Sequence, residues 1–320
     1  MKPRLVFMGS PDFATPSLKA LASQYPVVGV VTQPDRQAGR GRVITSPPVK
    51  ELAIQLGIPF IQPERLRDTE AFIQLQEWRP DIIVVAAFGQ ILRPEVLSLP
   101  SKGCINVHAS LLPRWRGAAP IPAAILHADT ETGITLIQMD TGIDTGPILA
   151  QRKIPIEPDD TAATLSAKLA RLGAGLLIET LPLYMNESLK PKPQTSDQAT
   201  FAPMLKKEDG RIDFTKSAQQ LGRMVRAFNP WPGAYTQWKD QRLTIHLAHA
   251  QKALVGNKTR PGCTLIHENL PAIMTGEGIL VLDEVQPAGK KRMSGRSFLQ
   301  GAREWGDGIL TGKFSPDFDN

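Results

Sequence analysis

Short unbroken apolar runs alternate, over the first half of the chain, with longer segments whose apolar residues recur every three or four positions. Leu5–Met8, Val27–Thr32 and Ile82–Ala87 are continuous aliphatic runs, the pattern of strands covered on both faces. Pro16–Ser23, Pro48–Leu56 and Glu64–Trp78 read as helices between them. Such strand–helix–strand alternation predicts parallel strands joined by right-handed crossovers. Ile105–His108, Ile134–Met139 and Ile148–Ile154 extend the sheet. Asp160–Met185 predicts one long helix, with Thr161 as N-cap and Leu165, Leu169, Leu172, Leu176 and Leu177 forming its apolar stripe.

The texture then changes. Between Leu189 and Pro203, Pro191, Pro193 and Pro203 stand among lysines and polar residues, as in an extended linker. Ser217–Phe228 reads as an amphipathic helix, ended by Asn229-Pro230-Trp231-Pro232-Gly233. Five short strands follow, Ala234–Trp238, Leu243–Ala250, Thr264–Ile266, Ala272–Thr275 and Ile279–Val285, with hairpin turns at Lys239-Asp240 and Gly276-Glu277-Gly278. The fold expected is therefore α/β: a doubly wound, mostly parallel Rossmann-like sheet followed by a small C-terminal OB-like β-barrel. The expected boundaries are a sheet domain over residues 1–189, a linker over 190–205 and the barrel domain over 206–320.

A length of 320 residues with 42 % hydrophobic content suits two packed cores. Charge alters the picture more. The chain carries 37 Lys and Arg against 31 Asp and Glu, a net of +6. Residues 1–205 hold 20 basic and 19 acidic side chains, and residues 206–320 hold 17 and 12. A basic excess at one end suits a polyanion, nucleic acid foremost, although a surface tuned for solubility gives the same arithmetic. Cys104 and Cys263 are far apart and no Cys/His cluster exists, so neither a disulfide framework nor a metal site is expected. The longest apolar run, Ile82–Phe88, is far short of the roughly 18–20 residues that span a bilayer. A soluble, cytoplasmic protein without membrane contact is expected, and, with no long exposed apolar helix asking for a partner, a monomer.

Polar constellations fall at the ends of the predicted strands. In Gly103–Pro113, Asn106 and His108 stand two apart on a strand and share a face. At the carboxyl edge of a parallel sheet they would point into the usual ligand crevice, where an amide beside an imidazole can stabilise an oxyanion and move a proton. The same pair also reads as a histidine satisfied by a carbonyl and an asparagine in a turn. Met139–Leu149 is a turn-rich loop carrying Asp140 and Asp144; a carboxylate beside His108 would favour its charged form, and Asp140, ending a strand, suits a turn cap. Phe7–Ala14 is a strand, a glycine turn and a helix start without a full GxGxxG, so a dinucleotide site gains little support. Gln33–Arg42 sets Arg36, Arg40 and Arg42 among glycines, a phosphate-seeking loop or an ordinary crossover.

Together, Phe7–Phe13, the Arg36–Arg42 loop, Asn106–Ile121, Met139–Leu149 and Asn229–Ala234 resemble the folate-dependent formyltransferases. The likeness runs nearly end to end and includes the extra C-terminal domain of members that act on charged initiator tRNA. It implies transfer of a formyl group from 10-formyltetrahydrofolate to the α-amino group of methionyl-initiator tRNA. Asn106, His108 and Asp144 would be catalytic, Ser110, Leu111, Leu112 and Pro113 would line the folate site, and Arg36, Arg40 and Arg42 would meet the tRNA acceptor end; no metal is implied. Two stretches depart from the family's pattern: Arg42-Val43-Ile44-Thr45, where relatives are lysine-rich, and Pro122-Ala123-Ala124, where a polar pair is usual. Alternatives on the same fold are formyltransferases of sugar nucleotides or glycinamide ribonucleotide, and a formyl-folate hydrolase. The missing glycine fingerprint argues against a nicotinamide dehydrogenase, and the intact Asn106, His108 and Asp144 against a binding module on an inactive sheet.

Overall fold

The structure is a computed structural model that describes residues 2–38, 43–252, 260–306 and 308–310. Two compact units emerge. The first takes in Met1–Pro120, Thr130–Pro155 and Thr164–Pro203, and the second Ile121–Asp129, Ile156–Ala163 and Met204–Asn320.

In chain order the elements begin with strand β1 (Leu5–Gly9), helix α1 (Thr15–Gln24), β2 (Val27–Val31), the short pair β3 (Arg36–Ala38) and β4 (Val43–Thr45), α2 (Pro48–Gln55), β5 (Phe60–Ile61), α3 (Thr69–Trp78) and β6 (Ile82–Ala86). They continue with α4 (Pro94–Leu97), β7 (Cys104–His108), β8 (Arg116–Gly117), α5 (Pro120–Leu126), β9 (Glu131–Gln138), β10 (Ile148–Pro155), α6 (Ala162–Met185) and β11 (Phe201–Ala202). The main sheet has the order β10–β9–β7–β6–β1–β2–β5. Strands β7, β6, β1, β2 and β5 are parallel, whereas β9 runs antiparallel to β7 and β10 antiparallel to β9. The order reverses between β1 and β6, so the carboxyl ends of β1, β6 and β7 open a crevice at Gly9, Ala86 and His108. Every residue of β1 and β6 is buried, as their continuous apolar runs require. Strand β7 differs at one position: Asn106 is its single half-buried residue.

Two expectations are corrected here. Helix α3 starts at Thr69 rather than Glu64, because the Leu66 N–H is taken by the side-chain oxygen of Gln90 at 2.7 Å instead of a helical carbonyl. The stretch read as an extended linker is paired into the first unit. Lys192 and Ile148 exchange two main-chain bonds of 2.7 and 2.8 Å, and β11 pairs in parallel with β8. A polar, proline-rich sequence suits such a strap, since its main chain makes the bonds while Pro191, Lys192 and Pro193 stay exposed.

The second unit contains α7 (Ala218–Ala227), β12 (Ala234–Trp238), β13 (Gln241–Gln251), β14 (Thr264–His267), β15 (Leu270–Met274), β16 (Ile279–Pro287), β17 (Met293–Ser294) and α8 (Gly295–Gly301). Its antiparallel sheet runs β12–β13–β16–β15–β14, with β17 on β16, one strand more than the five expected. Among the described residues no ladder closes β12 onto β14; two irregularities in the β13–β16 register add local twist. Lys239 and Asp240, at φ 49° and 57°, make the expected β12–β13 hairpin. Glu268 and Asn269, at φ 48° and 63°, make a second such turn that lacks a glycine signal. Helix α7 starts where expected, with Ser217 and Gln220 in a reciprocal capping box. Helix α8 lies beyond the elements that the sequence pattern predicts; its Phe298 packs edge-on against Trp238 and the buried Trp305, with centroids 5.2 Å apart in each case.

Candidate active site

Side-chain alternation along β7 sends Asn106 and His108 to one face, and both reach Asp144. The Asn106 amide donates to one Asp144 carboxylate oxygen at 3.0 Å, and His108 Nδ1 lies 3.4 Å from the other. That second oxygen also accepts the Gly117 N–H at 2.9 Å. His108 Nε2 lies 2.9 Å from the Trp115 carbonyl, which can only accept. Nε2 is therefore the donor in this contact. His108 is 5 % exposed and Asp144 13 %, so the contact is shielded from water. The second N–H of the Asn106 amide has no partner among the described residues. The set can thus offer a directed Asn106 N–H, beside an imidazole engaged on both its nitrogens, to a group gaining negative charge.

The loop bearing Asp144 is not a simple extension of the sheet edge. Because β9 is antiparallel to β7, it leaves beside Cys104, where the Met139 N–H meets the Cys104 carbonyl at 2.8 Å. It then returns over the polar face of β7. Asp140 caps the turn as expected, accepting from the Gly142 N–H at 3.0 Å and the Thr145 hydroxyl at 2.7 Å. Asp144 sits at φ 53° and Trp115 at φ 60°, conformations that cost an L-residue roughly 1–2 kcal/mol. Both strained residues belong to loops that meet at the same carboxylate and imidazole. Gly117, at φ 111°, brings its N–H to Asp144 from a backbone conformation closed to other residues.

Ser110 is fully buried and Leu112 only 3 % exposed. Ser110 donates to the Arg114 carbonyl at 2.5 Å, and Thr135 joins the Leu112 N–H to the Ser110 carbonyl at 3.0 and 2.7 Å. These two side chains shape the turn from within, while Leu111 and Pro113 are half-exposed. Arg36 is exposed and donates to the Gln33 side chain at 3.1 Å; Arg40 and Arg42 lie outside the described residues. On the same face of β7 as Asn106 but deeper, Cys104 is so buried that its thiol is pushed up to about 12. Among the described residues no group of three or more His, Cys, Asp or Glu could hold a metal ion, and no helix is long and apolar enough to cross a membrane.

Gln194 is a site residue the sequence does not disclose. Its side chain bonds the main chain on both sides of Thr145 and is itself held by Arg116. The only cue is a polar residue inside a proline-rich stretch, a signal shared by any exposed linker.

The family model for formyl transferases matches residues 3–181, and that for the formyl transferase C-terminal domain matches 204–303. The methionyl-tRNA formyltransferase of Myxococcus xanthus is 50 % identical over 301 residues, covering 94 % of this chain and 95 % of its own length. That of Roseiflexus castenholzii is 45 % identical over 314 residues, 98 % of this chain and 100 % of its own. Among solved structures, the sugar 3N-formyl transferase WlaRD has a similar fold, with a TM-score of 0.65 at 20 % identity over 91 % of this chain and 100 % of that one. HypX from Aquifex aeolicus in complex with tetrahydrofolic acid matches with a TM-score of 0.62 at 17 % identity, over 93 % of this chain and 47 % of that one. At such identities the solved structures bear on the fold alone.

Proposed function

The chain belongs to the formyl transferase family, and from that premise we propose that it moves a formyl group from 10-formyltetrahydrofolate to the α-amino group of methionyl-initiator tRNA. The observation carrying this reading is the Asp144 carboxylate bridging Asn106 and His108 in a chain 45–50 % identical, over nearly its whole length, to methionyl-tRNA formyltransferases. The sugar-directed relatives match at far lower identity. The basic excess of residues 206–320 and the exposed Arg36 suit a polyanionic acceptor. Exposed Ile143, next to Asp144, and half-exposed Leu111 and Pro113 offer apolar surface of the kind a flat heteroaromatic ring occupies.

When bound, the folate supplies a formyl carbon attached to N10 and made electrophilic by its carbonyl. Asn106 offers its second N–H to the formyl oxygen as the neutral acceptor amine attacks and negative charge builds there. Asp144 and Trp115 fix the orientation of the His108 ring. The new C–N bond forms, the bond to N10 breaks, and the proton lost by the amine passes to N10; His108 takes part in that transfer only by giving up its Trp115 or its Asp144 contact. A single copy suffices for this reading, working in the cytoplasm where charged initiator tRNA is used. The test mixes the protein with 10-formyltetrahydrofolate and methionyl-initiator tRNA and assays N-formylmethionyl-tRNA. Release of free formate at the same rate without tRNA would replace this reading by a hydrolase.

A further inference from the structure

We propose that Gln194, backed by Arg116, is a positioning residue that sets the Asp144 carboxylate against Asn106 and His108, an inference resting on the formyl-transfer reading above. Gln194 Nε2 donates to the Asp144 carbonyl at 2.8 Å and to the Gly146 carbonyl at 2.7 Å. Its Oε1 accepts from Arg116 Nε at 3.1 Å and from Nη2 at 2.7 Å. A side-chain amide has two N–H donors and two acceptor lone pairs, and here all four are used. Arg116, 5 % exposed, decides which way the amide faces. Its guanidinium can only donate, so the oxygen turns to Arg116 and both N–H groups turn to the loop.

The clamp grips the main chain of a residue whose side chain does the work. Asp144 is held at φ 53° in a loop where Asp140–Ile143 and Thr145 are exposed. A modest rotation of its backbone would swing the carboxylate off His108, whose Nδ1 is already 3.4 Å away. The same two-residue strand serves both ends: Arg116 holds Gln194, and the next residue, Gly117, gives its N–H to the Asp144 carboxylate. Asp144, Gly117, Arg116 and Gln194 therefore close a ring of bonds around the carboxylate. The ring is anchored by the strap, since Lys192 pairs with Ile148 and the Thr200 carbonyl accepts the Arg116 N–H at 2.9 Å.

The experiment compares wild type, Gln194→Glu and Gln194→Met, each also in an Asp144→Ala background, using single-turnover formylation of methionyl-initiator tRNA. Gln194→Glu keeps an acceptor for Arg116 but sets carboxylate oxygens against two carbonyls; Gln194→Met fills the same space without a charge and serves if the glutamate variant does not fold. The transfer rate is expected to fall by up to about 10²-fold while KM for both substrates stays within a few-fold. In the Asp144→Ala background the same changes should cost nothing further, because the group being positioned is gone. A rate within about twofold of wild type, or an equal loss with and without the Asp144 carboxylate, would overturn the inference. Thermal unfolding identifies a variant that is merely unfolded. Wild-type protein that does not formylate the tRNA would instead sink the functional reading.

Discussion

Asp144 pays for its place with a left-handed backbone; its carboxylate accepts from two donors, the Asn106 amide and the Gly117 N–H, and His108 Nδ1 lies 3.4 Å from one of its oxygens. Among the described residues, Asn106 is the member with a second N–H left unbonded. Asn106→Ala should lower kcat for formyl transfer by about 10²–10³-fold, the loss found when one oxyanion donor is removed. Saturating-substrate kinetics check this, and a near-normal kcat would remove Asn106 from the catalytic set. Cys104 gives a separate pH signature. Burial lifts its thiol from 9.0 to about 12, so the folded state favours the protonated form. Its contribution is fully present below pH 9 and is lost as pH rises towards 12, with a slope of at most about 1.4 kcal/mol per pH unit. Denaturation midpoints of wild type should therefore fall more steeply across that window than those of Cys104→Ala.

Among the elements, direction matters more than existence. β9 covers the run Ile134–Met139 up to Gln138 and β10 the run Ile148–Ile154, extending the sheet, but only their antiparallel course brings the Asp144 loop back across β7. That return is tight. A Cβ on Gly146 would run into the main-chain oxygen of Gln138, a residue held by its pairing with Ile105 of β7 and by its N–H on the Pro147 carbonyl at 3.0 Å. Gly146→Ala should cost about 1–3 kcal/mol in stability, as overpacking commonly does. The rate should fall further than the stability loss alone explains, because Asp144 is two residues away. Equilibrium denaturation alongside kinetics separates the two effects.

For the whole molecule, charge and partition are linked. Residues 206–320 carry 17 of the 37 basic side chains, yet their unit also holds two earlier segments. Arg223 donates to the Leu126 carbonyl at 3.3 Å and Arg226 to the Asp160 carbonyl at 2.8 Å. Cutting the chain at residue 206 would strip those segments of their partners, so substitution tests the tRNA footprint more cleanly. Replacing the exposed Lys290, Lys291 and Arg296 by alanine should weaken tRNA binding. The slope of log affinity against log salt should shrink by about one for each phosphate left without its cation. Titration at several salt concentrations reads this; an unchanged slope would free these residues from the interface.

By itself the sequence determined what depends on local pattern. Unbroken apolar runs required strands buried on both faces, two-residue alternation put Asn106 and His108 on one side of β7, and the amphipathic run Ser217–Phe228 set the buried face of α7. Tertiary structure decided what depends on partners distant in the chain. Leu66 yields its N–H to Gln90, Lys192 pairs with Ile148, and Gln194 reaches back 50 residues to the Asp144 carbonyl. None of these carries a local signal, because a hydrogen bond between distant segments is set by where the chain passes and not by the identity of its neighbours. A proline-rich polar stretch reads the same whether it drifts in solvent or straps a carboxylate into place.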